Sequence, residues 1–259
     1  MKVYRDQMNR EVSITTEVTR IVSLVPSQTE YLYDLGLGNH VVGQTIFCIH
    51  PEEQFASAHK IGGTKKLHLD KIRALKPDLI IGNKEENDQG QIEELQKEFP
   101  VWMSDIFTYS DAREMMLALA EILAESERGQ VIVNETDKEW ERSRGMLQGS
   151  MLYLIWRDPY IAVGTQTFIH SLCEHIGFKN ACHKQRYPQI SNAEVQSDLD
   201  YILLSSEPFP FKQKHIEELE ELNPQAKVKL IDGEICSWYG SRLKYMYSYF
   251  STFKKAHEG

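Results

Sequence analysis

The sequence contains neither G-x-x-x-x-G-K-[ST] nor G-x-G-x-x-G, so the two common backbone cradles for a nucleotide's phosphates are excluded. H-E-x-x-H and G-x-S-x-G are missing as well, which removes the helical zinc-hydrolase motif and the nucleophile elbow. Four cysteines, Cys48, Cys173, Cys182 and Cys236, stand apart without a C-x-x-C pair; that spacing fits separate thiols rather than a disulfide framework or zinc knuckle. Cys48-x-His50 and Cys182-His183 have no partner pair at zinc spacing, and His170 and His175, five apart, fall on different helix faces. No run of about 18 apolar residues exists to span a bilayer. Basic clusters are also missing, and the formal net charge is -9, which argues against nucleic acid, anionic lipid and membrane insertion. The opening "MKVYRDQMNREVSITTEVTR" lacks the apolar core of a secretory signal; if the chain begins at Met1, a cytoplasmic location is expected.

What is present is a repeating alternation of apolar strands and amphipathic helices. In "IVSLVPSQTEYLYDLGLGNHVVG" a strand over 21–25 leads through a turn with no glycine into a helix over 29–37, with Ser27 as expected N-cap and Gly36 and Gly38 at the exit. A strand follows at 41–43. Residues 12–18 read as an edge strand or an extended arm. A helix at 69–75, a strand "DLIIG", a helix at 89–98 and a strand "PVWMSD" continue the rhythm, which implies βαβ units and a parallel sheet. It stops at 111–147, where Met115, Met116, Leu119, Ile122 and Leu123 recur at helical spacing without proline. The expectation there is one long helix, with two consecutive helices as the alternative. Afterwards the pattern restarts: "DLGLGN" is echoed by "HIGFKN", and "LDKIRALKPDLIIGNKE" by "NAEVQSDLDYILLSSEP", each with an aspartate, Asp78 or Asp200, before an apolar strand. Two echoes in the same order on either side of a helix predict two topologically similar lobes.

Ligands of open α/β sheets lie beyond the carboxyl ends of the strands. The loops expected there are rich in aromatics: Phe47, Phe107, Tyr109, Trp156, Tyr160, Phe209, Phe211, Trp238 and Tyr239, with Tyr187 in the preceding proline-containing loop. Singly, such residues cap a core; concentrated on one edge they suit a bulky, flat or macrocyclic ligand. His50, just past Phe47, is either a surface residue or a contact at the ligand's rim. Asp70 and Glu194 open the two echoed helices, either as dipole-favoured charges or as equivalent surface carboxylates. Acidic runs such as "HIEELEEL" read as solvated helix faces.

The segments "RIVSLVPSQTEYLYDLGLGNHVVG", "LDKIRALKPDLIIG", "GTQTFIHSLCEHIGFKN", "YPQIS" and "SSEPFPFK" together resemble the iron-siderophore and cobalamin substrate-binding proteins of ABC importers, nearest to the cobalamin-binding branch. The likeness runs from Arg20 to about Phe250. It implies an α/β fold of two Rossmann-like lobes with parallel sheets, 1–108 and 148–259, joined by one long backbone helix over 109–147, with a ligand cleft between the lobes. It also implies a monomeric receptor that performs no catalysis, has no catalytic cofactor or metal, and carries cobalamin or another metal chelate such as haem or a ferric siderophore. By motif position, Phe47, Tyr160, Tyr187 and Trp238 line the cleft. Two further cleft positions, often tryptophan in the cobalamin proteins, fall on Thr64 and Asn83; beside these, Arg242 or His50 is expected to add polar contacts. Docking on the permease dimer falls to Asp70 and, beside the matching position at Ala193, to Glu194. The family is periplasmic or surface-anchored. The other readings are a cytoplasmic carrier or sensor of corrinoids or metal complexes, and a two-lobed nucleotide-sugar enzyme; the latter needs a phosphate turn, for which 25–28 and 157–160 supply no glycine.

Overall fold

Short apolar runs bounded by turns become buried parallel strands, and the helices between them return the chain to the same sheet edge. The computed structural model describes residues 2–14 and 17–257. By its internal contacts the chain divides into two units. The first comprises Met1–Ile106, Ser110–Thr136 and Tyr239–Arg242; the second comprises Phe107–Tyr109, Asp137–Trp238 and Leu243–Gly259.

The first unit opens with an antiparallel pair, β1 (Lys2–Arg5) and β2 (Glu11–Ile14). The edge strand or arm expected at 12–18 thus begins as β2, and residues 15 and 16 lie outside the described residues. The turn of this pair is built around Asp6, whose buried carboxylate accepts from Met8 N, Arg10 N and the Arg10 guanidinium. The main sheet contains β3 (Ile21–Ser23), β4 (Val41–Gln44), β5 (His59–Lys60), β6 (Leu79–Asn83) and β7 (Val101–Ser104), in the order β5-β4-β3-β6-β7 and parallel throughout. Helices α1 (Pro26–Asp34), α2 (Leu69–Leu75) and α3 (Gln89–Leu95) connect them. The N-cap expected at Ser27 is Val25 instead, in extended conformation, with Pro26 at the first helical position. Proline costs nothing there, because that N–H has no intrahelical acceptor.

The expected long helix is interrupted. α4 (Tyr109–Ile122) and α5 (Ser126–Ser143) are separated by a turn in which Ala124 takes a left-handed φ of 59°. The helices approach closely: a Cβ built on Gly129 of α5 would stand 2.3 Å from the Ala120 Cβ of α4. The boundary between the units falls inside α5, between Thr136 and Asp137.

In the second unit β8 (Gly149–Trp156), β10 (Phe178–Asn180), β11 (Tyr201–Ser205) and β12 (Lys227–Ile231) pair in parallel in the order β10-β8-β11-β12, and β9 (Ile161–Ala162) adds antiparallel to β8. Helices α6 (Phe168–Ile176), α7 (Asn192–Val195), α8 (Gln213–Leu222), α9 (Gly233–Ser237) and α10 (Met246–His257) complete it. One face of the sheet packs Leu152, Leu154, Ile202, Leu204 and Val228 against Phe211 and Leu219. No helix among the described residues is long and apolar enough to cross a membrane.

The two echoed aspartates do the same work in their own units. Asp78 Oδ2 accepts from Thr19 N, Thr19 Oγ1 and Arg20 N at 2.9, 3.0 and 3.0 Å, while Asp78 N donates to Arg20 O. Asp200 Oδ2 accepts from Ser150 N and Oγ at 2.7 and 2.9 Å, while Asp200 N donates to Ser150 O. Each ties the turn before one strand to the start of the strand beside it. These Ser150 bonds hold the Asp200 carboxyl below its usual range. D78A and D200A are each expected to lower the unfolding free energy by about 1 kcal/mol, the usual value of a side-chain to backbone bond. Because the folded-state pKa of Asp200 is depressed, its contribution is present above the ordinary aspartate value and fades as pH falls below it. Urea unfolding at neutral pH and near pH 3 is expected to show a smaller D200A deficit at the lower pH.

Candidate functional site

Open parallel sheets place their functional loops where the strand order reverses, at the carboxyl ends. In the first unit that point lies between β3 and β6, and a buried polar cluster fills it. Gln28 Nε2, from the first turn of α1, donates to Ser104 Oγ at 2.5 Å, and Asn83 Nδ2 donates to the same oxygen at 3.0 Å. Asn83 Oδ1 accepts from Glu85 N and Glu86 N, which shapes the loop after β6. Asn83, expected as a ligand contact, is therefore 2% exposed and organises its own turn. Thr64 is half-buried, and its carbonyl accepts from Asn87 Nδ2 at 3.1 Å.

The loop after β4 is different in character. Phe47 is 52% exposed, and Ile46 and Ile49 beside it are exposed as well. Sequence reading singled out the aromatic residue and missed its two aliphatic neighbours, although the run "TIFCIH" carried the signal. The loop is firmly held: Ile46 N donates to Gly62 O, Gln44 Nε2 to Cys48 O, and Thr29 Oγ1 to the buried Cys48 Sγ. Burial pushes the Cys48 thiol pKa upward, so it stays a thiol. His50 closes the loop, half-buried.

Arg242 joins this unit from the far end of the chain. Its Nε donates to Glu30 Oε2 at 2.8 Å, with both side chains nearly buried. Burial raises the Glu30 carboxyl above its usual range, and the Arg242 and His50 charges oppose that rise. This pair binds α1 to the Tyr239–Arg242 segment of the same unit.

In the second unit the residues after β8 form a tethered group. Arg157 Nη2 donates to both oxygens of Glu218, at 2.9 and 2.8 Å, and the Tyr160 hydroxyl donates to Glu218 Oε1 at 3.0 Å. Burial and the Glu218 carboxylate push the Tyr160 hydroxyl up to about 12. The "HIEELEEL" helix is consequently not a purely solvated face, since Glu218 turns to Arg157 and Leu219 is buried. Tyr187 lies on a strap that pairs with the Tyr160 segment: Ile190 N donates to Tyr160 O, Ala162 N to Pro188 O and Gly164 N to Arg186 O. Gly164 permits this approach, because a Cβ there would stand 2.0 Å from Lys184 O. Trp238 is 6% exposed, and its Nε1 donates to Glu207 Oε1, which also accepts from Ser237 Oγ. Burial raises the Glu207 carboxyl. Trp156 is exposed and meets Phe209 edge-on at 5.6 Å.

The two acids singled out for docking differ. The Asp70 side chain is 99% exposed, with Arg73 Nη1 at 3.3 Å. Glu194 belongs to a capping box with Ser191 and accepts from Lys184 Nζ at 2.7 Å; these bonds pull its carboxyl down to about 2. Among the described residues no three His, Cys, Asp or Glu side chains are grouped so as to hold a metal ion.

The family profile described as periplasmic binding protein matches residues 21–226. An uncharacterized ABC transporter substrate-binding lipoprotein of Bacillus subtilis is 41% identical over 78 residues; that match spans 30% of this chain and 24% of the relative's length, well under two thirds. A vitamin B12-binding protein of Vibrio campbellii is 26% identical over 194 residues, covering 72% of this chain and 70% of its own. Among solved structures, a periplasmic heme-binding protein from Roseiflexus superposes with a TM-score of 0.79 at 19% identity, covering 92% of this chain and 99% of its own. By name all three are binding proteins, and the Bacillus subtilis relative is one of an ABC transporter.

Removing one partner of a buried pair leaves an uncompensated charge, at a cost of about 3 kcal/mol. R242A is expected to destabilise the chain by about that much at pH 7. Glu30's folded pKa is raised even with Arg242 present, and it rises further without it. Its burial therefore opposes folding most at neutral pH and least below the ordinary glutamate value of 4.5. The gap between R242A and wild type in urea midpoint is expected to narrow as pH falls from 7 towards 4.5.

Proposed function

This chain belongs to the periplasmic binding protein family, and from that premise we propose that it is the substrate-binding component of an ABC importer whose cargo is a cobalamin-like corrinoid, within the wider class of metal chelates that includes haem and ferric siderophores. The strand-end loops of each unit supply the contacts: Phe47 with Ile46 and Ile49 in the first, Tyr160 and Tyr187 in the second. Thr64 and His50 add polar edges, and Trp238 supports the last loop from within.

The observation that carries this reading is the pairing of aromatic loops with spent cations. Arg157 is bound to Glu218, Arg242 to Glu30, Lys84 to Asp105 and Lys184 to Glu194. An anionic chelate needs uncommitted guanidinium or ammonium groups at its site, in bidentate geometry where possible. Aromatic and aliphatic faces beside neutral amides and hydroxyls suit a large, flat ligand with an uncharged, amide-rich rim. A corrinoid has that chemistry. The Vibrio campbellii relative, a vitamin B12-binding protein by name, points the same way.

The cargo is bound and released unchanged, so no group on the protein needs to move a proton or form a bond. Asp70, almost fully exposed on the first turn of α2, is the stronger docking carboxylate for a permease dimer; Glu194 presents its charge from a capped helix.

Titration with cyanocobalamin, followed in the visible spectrum and by calorimetry, is expected to show saturable binding. F47A and Y160A combined are expected to weaken it at least about tenfold, or roughly 1.4 kcal/mol; unchanged affinity removes both residues from the site. Charge reversal at Asp70 is expected to stop import in cells while leaving binding of purified protein intact. Import that continues undiminished removes Asp70 from the docking surface.

A further inference from the structure

The two adjacent glycines of the β5–α2 loop have different reasons for being there. Gly62 needs its residue type for the backbone: its φ is +106°, and a Cβ would stand 2.4 Å from Lys66 O. Gly63 is not in the left-handed region, so its backbone suits any L-residue. The atoms a Cβ on Gly63 would meet within 4 Å all belong to the Phe47 ring: Cε2 at 3.1 Å, Cζ at 3.9 Å and Cδ2 at 4.0 Å. The missing side chain serves Phe47 and nothing else nearby.

The seat itself is rigid. Gly63 N donates to Lys66 O, Thr64 O accepts from Asn87 Nδ2, Lys65 O accepts from Gln91 Nε2, and Leu67 N donates to Gln91 Oε1. The Phe47 backbone is fixed on both sides, through Ile46 N to Gly62 O and Gln44 Nε2 to Cys48 O. A side chain at position 63 therefore displaces the exposed ring rather than either loop, since the ring is the part free to give.

We propose that Gly63 is a specificity-determining positioning residue: the hydrogen in place of a side chain lets the Phe47 ring lie down against the loop, leaving its outer face, with Ile46 and Ile49, as the platform for a broad flat ligand. Any larger residue lifts the ring into the space the ligand needs. This rests on the reading that Phe47 touches the cargo.

The full-length chain and its G63A, G63V, F47A and F47A/G63V variants provide the test. Crystal structures without ligand are expected to show the Phe47 ring displaced slightly in G63A and swung outward in G63V; a ring unmoved in both overturns the proposal. Calorimetry with cyanocobalamin is expected to show G63V weaker by at least about fivefold, as one aromatic contact is lost, with thermal unfolding unchanged. Adding G63V to F47A is expected to have no further effect. An equal loss with and without Phe47, or full affinity in G63V despite a displaced ring, overturns it. If wild type binds no metal chelate, the ligand reading of the previous subsection falls, and the specificity role with it; the ring's position then still decides whether Gly63 is the seat.

Discussion

In each unit an aspartate between a short helix and a buried strand accepts hydrogen bonds from residues at or just before the start of the neighbouring strand, and the placement of the strand-end loops follows from that bond. Parallel strands buried on both faces gain little register information from alternation, because nearly every residue is apolar. Asp78 and Asp200 supply it, pinning β6 beside β3 and β11 beside β8, so that Ile21 pairs with Leu79 and Met151 with Tyr201. A slip of one residue would move each strand's last residue, and the loop that follows it, about 3.3 Å along the sheet.

Those loops carry aromatic side chains whose orientations are set by groups behind them. Tyr160 is tethered through its hydroxyl to Glu218, itself clamped by Arg157, and Trp238 is held by its indole nitrogen to the half-buried Glu207. Phe47, with no polar handle, is positioned by the space above a glycine. Ordering a side chain during binding costs about 0.5–1.5 kcal/mol, so rings fixed beforehand bind a rigid ligand more tightly than free ones. The tether of Tyr160 also commits the Arg157 guanidinium to Glu218.

Much of this was legible in the sequence. The strands announce themselves as apolar runs, and the echoed "KPDLIIG" and "SDLDYILLS" place Asp78 and Asp200 in equivalent turns. The break between α4 and α5 was not legible: Ala124 takes the left-handed conformation although neither glycine nor proline marks the spot, and the tight contact of Gly129 with Ala120 appears only when the chain is folded. Ser27 looked like a cap because capping residues are recognised by type, while Pro26 had already begun the helix. Trp238 and Asn83 were found as residues at strand ends, but burial decides whether such residues face a ligand or hold a turn, and burial is a property of the whole fold. Glu30 and Arg242 are 212 positions apart; no local pattern reports a partnership at that range.

That separation also orders events while the chain is being made. The strands of the first unit's main sheet all lie before residue 105, yet the unit also contains Tyr239–Arg242, and the nearly buried Glu30 lacks its ion-pair partner until the guanidinium 212 residues later arrives. At translation speeds of about 5–20 residues per second, that wait is roughly 10–40 s. Until then protonation or retained water serves the Glu30 carboxylate, and the ion pair that binds α1 to the Tyr239–Arg242 segment forms only once Arg242 has been made.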